Sequence, residues 1–86
     1  MTAVGADGLA IHNNIFIDVP LNIGSEVQNS RIWLNQFIGS KARCTITPKT
    51  DEVFSQNYGY DGASYTIREV SGVGFAVREA GNNFAS

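Results

Sequence analysis

A chain of 86 residues with a formal net charge of -2 has room for one small domain, residues 1–86, and excludes a two-domain reading. The charge is too small to name a partner, but it counts against wrapping around duplex DNA, which needs a basic field. Charged residues make up 16% of the chain against a typical ~25%. The polar share falls to Asn, Gln, Ser and Thr, which are easier to desolvate, so part of the surface is expected to be covered by a partner.

Leu, Ile, Val and Phe form about a quarter of the chain, enough to fold. The single cysteine, Cys44, excludes an intramolecular disulfide framework and fits a reducing compartment, so the expected location is the cytoplasm. The opening "MTAVGADGLAI" lacks a basic segment followed by a long apolar one, and no run approaches the ~18 apolar residues of a membrane span. Neither export nor a membrane role is expected.

Residues 1–8 are small, glycine-containing and without periodicity, which reads as a flexible terminus. "LAIHNNIFIDVP" reads either as one strand with Leu9, Ile11, Ile15, Ile17 and Val19 on a face or as a hairpin turning at Asn13-Asn14. The hairpin is favoured because asparagine tolerates the left-handed backbone of a tight turn. Pro20, without an amide hydrogen, marks a strand end or an edge.

"SEVQNSRIWLNQFIG" carries a capping box, Ser25 with Gln28, and a glycine, Gly39, where a helix ends. The spacing predicts a helix from about Glu26 to Ile38, with Val27, Leu34, Ile38, Phe37 and Trp33 forming the core stripe. Ile32 then falls on the opposite side among Gln28, Asn29 and Gln36. It reads either as a stray exposed apolar residue or as part of an uncharged contact face.

"ARCTITP" alternates as a half-buried strand with Ala42, Cys44 and Ile46 inward and Arg43, Thr45 and Thr47 outward. "KTDEVFSQN" is ambiguous, and Asp51 and Glu52 read as solvated or capping loop carboxylates. "NYGYDGASY" holds a strong turn signal at Asp61-Gly62. Tyr58 and Tyr60, two apart across Gly59, cannot both be buried easily, and an exposed tyrosine supplies contact area at low entropic cost. Tyr65 is expected to pack.

"YTIREV" and "FAVREA" are near copies ten residues apart and predict a C-terminal hairpin across "SGVG". Pairing their apolar positions would make Arg68 and Arg78 diagonal neighbours on the outer face. If the strand of Arg43 shares that sheet, the surface is rich in hydroxyl and guanidinium groups able to hold a carboxylate or phosphate. An ordinary solvated sheet face is the plainer reading.

Chemistry is thinly signalled. Cys44 and His12 would need only spatial adjacency to act as nucleophile and base, with Asp18 or an asparagine as orienter, yet Cys44 is on the expected buried face. One Cys and one His are too few for a structural zinc site. "GVGFAV" lacks the third glycine of a dinucleotide fingerprint and enters a strand, not a helix. No cofactor is implied, and no internal array of repeats is evident.

The expected fold class is therefore α+β, with one helix packed on a small, mostly antiparallel sheet that ends in a C-terminal hairpin. The expected function is a non-enzymatic module that docks on or regulates another protein, or self-associates as a homodimer. By analogy of size this includes inhibitors of phage or mobile-element type. Its contact residues would be Tyr58, Tyr60 and Ile32, with Arg43, Arg68 and Arg78. The alternative is a small-ligand or single-stranded nucleic-acid binder using the arginine and tyrosine surface.

Overall fold

The computed structural model describes residues 2–3, 7–24, 27–47, 52–68 and 77–84. It contains twelve short strands and, among the described residues, no helix. They are β1 (Thr2–Ala3), β2 (Ala10–His12), β3 (Ile15–Ile17), β4 (Leu21–Ile23), β5 (Arg31–Trp33) and β6 (Gln36–Ile38). The chain continues with β7 (Arg43–Ile46), β8 (Glu52–Ser55), β9 (Tyr58–Tyr60), β10 (Ser64–Ile67), β11 (Val77–Ala80) and β12 (Asn83–Phe84).

Strands are dealt in strict rotation to three sheets. The first holds β1, β4, β7 and β10, the second β2, β5, β8 and β11, and the third β3, β6, β9 and β12. Every pairing is parallel. A chain that visits three parallel sheets in turn is coiling around one axis, so the fold is a parallel β-helix, a solenoid whose coils stack on their neighbours.

No strand is longer than four residues, and many end where the backbone turns left-handed. The corner between the second and third sheets has Asn13, Leu34, Gln56 and Gly81 at positive φ in successive coils, and the next corner has Asp18, Gly39 and Asp61. Within strands the β-branched and aromatic residues alternate. The central residues Ile11, Ile32 and Phe54 of the second sheet, and Phe16 and Phe37 of the third, point inward, joined from the first sheet by Leu21, Ile23, Cys44 and Ile46.

The third sheet's inner column runs Phe16, Phe37, Gly59, Phe84. Phe16 stacks on Phe37 at 5.0 Å, and Phe84 reaches across the bare Gly59 to within 5.7 Å of Phe37. A Cβ at residue 59 would land on the Phe84 ring.

One polar column stands beside this core. After each left-handed residue of the first corner comes an asparagine, and Asn14, Asn35, Asn57 and Asn82 form a ladder. The Nδ2 groups of Asn35, Asn57 and Asn82 donate to the carbonyls of Ile11, Ile32 and Phe54 one coil back, at 3.1, 3.0 and 2.8 Å. Their Oδ1 atoms accept from the backbone amides of Asn14, Asn35 and Asn57 at 3.0, 3.1 and 3.0 Å. Asn35 and Asn57 are fully buried, and side chain meets side chain along the row.

These observations replace the α+β, antiparallel expectation. Arg31–Trp33 and Gln36–Ile38 are strands where a helix was predicted; Ser25 of its capping box lies outside the described residues. Gly39 does adopt the left-handed backbone, φ 98°, but it closes a corner. Asn13-Asn14 is likewise a corner, since β2 and β3 belong to different sheets. Of residues 1–8, read as flexible, Thr2–Ala3 pair with Asn22–Ile23.

The C-terminal hairpin is also overturned, because β10 pairs with β7 and β11 with β8; "SGVG" lies outside the described residues. The fold is a repeat architecture after all. The interval between ladder asparagines is 21, 22 and 25 residues. Among the described residues no helix is long and apolar enough to cross a membrane.

Replacing Asn35 by Ala removes the acceptor of the Asn14 amide and the donor to the Ile11 carbonyl and the buried Asn57 Oδ1. Urea denaturation is expected to show a loss of about 2–4 kcal/mol, as buried groups left unpaired cost ~1–3 kcal/mol each. Asn14→Ala, at an exposed end of the ladder, should cost about 1 kcal/mol. Gly59→Ala should cost about 1–3 kcal/mol by overpacking against Phe84, read from the same denaturation curves.

Candidate functional site

The solenoid presents three outer faces of different character. On the first sheet β7 and β10 run side by side in one orientation, placing Arg43 beside Ser64 and Thr45 beside Thr66. With Asn22 next to Thr45 and Thr47 and Arg68 continuing the strand lines, this is the hydroxyl and guanidinium surface anticipated for these strands. Arg78 does not join it, because β11 belongs to the second sheet, so Arg68 and Arg78 are not neighbours.

Arg43 and Arg68 stand at opposite ends of the polar face. Arg43 pairs with Ser64 and Arg68 is four residue steps further along the strands, about 13 Å at ~3.3 Å per step. Arg43 donates from Nε to the Ser40 carbonyl at 3.3 Å and edges a shallow depression with Lys41, Pro20 and the opposite charge of Asp18.

The second sheet's outer face occupies its own aromatic group. His12 stacks on Trp33 with ring centroids 4.3 Å apart, and the Arg31 guanidinium lies 5.1 Å from the same indole. Arg31 and Arg78 flank Val53 in one column.

The third sheet differs from both. Its outer columns read Ile15, Gln36, Tyr58, Asn83 and Ile17, Ile38, Tyr60, without a carboxylate, ammonium or guanidinium. Ile15 and Ile17 are 60% and 61% exposed, and Tyr58 and Tyr60 are exposed at 37% and 44%. The other two exposed large apolar residues, Leu34 and Val19, sit at the corners bordering this sheet. Among the described residues every exposed large hydrophobic therefore lies on one face or its rim.

Tyr58 and Tyr60 thus reach the surface together, from strand β9, with the predicted turn at Asp61 and Gly62 following, both at positive φ. Tyr65 packs inside, 4.9 Å from Phe54 and 4.7 Å from Phe84 by ring centroid. Ile32, expected on an exposed helix side, is fully buried in the core. In a strand it alternates with the outward Arg31 and Trp33, so it cannot touch a partner. Sequence reasoning missed Ile15, Ile17 and Ile38, because it read the first two only as part of one strand face or of a hairpin and the third as part of a helix core stripe.

Potential catalytic groups do not converge. Cys44 is buried, and burial pushes its thiol up to about 12. His12 is exposed on the outside of another sheet, its Nδ1 2.7 Å from Asn13 Oδ1. Among the described residues no three of His, Cys, Asp or Glu gather as a metal would require.

Glu52 is not the solvated loop carboxylate expected from sequence. It is buried to 1% exposure in β8. Its Oε1 accepts from Ser30 Oγ at 2.6 Å and its Oε2 has no partner. Burial raises its pKa above the ordinary 4.5, and the Ser30 hydrogen bond opposes part of that rise. Asp51 lies outside the described residues. No protein-family model, curated protein or solved structure matches the chain.

Because the folded chain holds the Glu52 proton more tightly than the unfolded chain, the stability due to Glu52 is fullest below about 4.5. It declines as pH rises through the higher folded value. Glu52→Gln keeps an acceptor for Ser30 and cannot ionise. Denaturation midpoints measured across pH should fall more steeply above 4.5 in the natural chain than in this variant; parallel curves would show Glu52 to be uncoupled from folding.

Proposed function

We propose that this chain is a non-enzymatic interaction module that docks on protein through the outer face of its third sheet. One observation carries the reading: among the described residues, all six exposed large apolar side chains gather on that face and its rims. Contiguous apolar surface of this kind is uncommon on a monomer and marks contact sites. The two tyrosines add rigid, amphipathic contact area of the sort enriched where proteins meet.

The arginines contribute less. Arg43 and Arg68 are too far apart to grip one small anion, and Arg78 faces another way, so the ligand-binding alternative loses its shared site. The free thiol of Cys44 suits a reducing compartment such as the cytoplasm.

Captures from cells that make the protein test the reading. Ile17→Glu and Tyr60→Ala should remove the bound protein, while Thr66→Ala on the polar face should retain it. All three are surface changes expected to move stability by no more than about 0.5 kcal/mol. Capture that survives both Ile17→Glu and Tyr60→Ala would reject the face.

A further inference from the structure

We infer that the occupant of the third sheet's outer face is a second copy of the same face, related by a two-fold axis running along β6. This inference rests on the docking reading above and names its partner.

Such an axis, lying between the two faces, keeps the strand direction and reverses the order of coils. Tyr58 of each copy then covers Ile15 of the other, and Tyr60 covers Ile17. The large aromatic rows meet the flat aliphatic rows twice over, by symmetry. The residues left on the axis are those that tolerate meeting themselves. Ile38 faces Ile38, Leu34 faces Leu34, and the Gln36 amide, donor and acceptor at once, can pair with its own copy.

Asn83, beyond β9 in the same column, falls outside the overlap and supplies a polar rim. Absence of charge points the same way. A foreign partner is usually selected by complementary charges and wrong ones rejected by like charges. The strands of this face hold neither, and the carboxylates of Asp18 and Asp61, which this axis brings opposite one another, sit at the exposed corner, where water and salt screen them. Two uncharged sheet faces of matched spacing pack directly at ~10 Å. The face is about 15 Å deep across four strands at ~4.8 Å spacing, so the contact is small and reversible, below the ~1,200 Å² of standard interfaces.

Light scattering over a concentration series tests this. The mass is expected to rise from the 9.3 kDa of one chain toward twice that at high micromolar concentration. Ile17→Glu should raise the dissociation constant at least about tenfold with an unchanged melting curve.

A bis-maleimide with a reach of about 10 Å, matched to the sheet spacing, should cross-link Ile38→Cys to its own copy and should not link Asn83→Cys; the buried Cys44 thiol does not compete. A mass fixed at one chain throughout, or equal cross-linking by the two variants, overturns the proposal. If the chain is monomeric yet Ile17→Glu still abolishes binding to a purified foreign protein, the second copy is rejected and the docking face stands. A dimer indifferent to Ile17→Glu, with capture equally indifferent, rejects both.

Discussion

The asparagine ladder is the constraint on which this solenoid depends. Where the chain leaves the second sheet, the asparagines tie the carbonyls of Ile11, Ile32 and Phe54 to the next coil and give the corner amides of Asn14, Asn35 and Asn57 an acceptor; a buried amide left unpaired is costly. Asparagine carries a donor and an acceptor on one short arm. Asn35 reaches the Ile11 carbonyl in the coil before through Nδ2 while its Oδ1 accepts from the Asn14 amide of that preceding coil. Aspartate lacks the donor, and glutamine carries an extra methylene at a buried position. Because each asparagine grips its neighbour's side chain as well, the column fixes one coil spacing, and that spacing sets the register of all three sheets.

Left-handed backbone at the corners complements the ladder. A coil with three sides must turn sharply several times, and a residue at positive φ accomplishes each turn in one step. Asn, Asp and Gly occupy most of these positions at low cost. The positional logic explains the bare Gly59 too: the space it leaves is filled by the Phe84 ring of the following coil, so the aromatic stack closes over a missing side chain.

Much of this was locally legible and globally misleading. Cys44 and Ile46 face inward as alternation predicts, Asp61-Gly62 turns, and Tyr58 and Tyr60 are exposed while Tyr65 packs. The failures come from strands of three residues, which show barely one cycle of alternation. In such a span a period of 2 and a period of 3.6 are hard to separate. Ile32 illustrates the cost: placed on a helix it points out, placed between Arg31 and Trp33 in a strand it points in.

The near-copies at Tyr65 and Phe75 misled for a different reason. Ten residues is about half a coil, so two alike strands at that distance belong to different sheets. The usable signal was Asn14, Asn35, Asn57 and Asn82, recurring at 21 to 25 residues, within the range where solenoid periods lie. It was inconspicuous in a chain rich in asparagine, and it repeats a single residue type, not a motif.

Leu34 distinguishes the third sheet's face from mere leftover surface. Its equivalents in neighbouring coils are Asn13, Gln56 and Gly81, polar or without a side chain, whereas Leu34 is a leucine at φ 56° with its side chain 40% exposed. The left-handed conformation costs a residue with a Cβ roughly 1–2 kcal/mol, and nothing in the core recovers it, since the side chain points out.

A local preference broken without internal compensation points to a use outside the fold. That use lies next to Gln36 and Ile38, on the uncharged surface where the other exposed apolar residues collect. On the second sheet the aromatic group is already covered by His12 and Arg31, and on the first the outer positions are hydroxyl, amide and guanidinium groups. The third sheet alone leaves its apolar side chains for something else to cover.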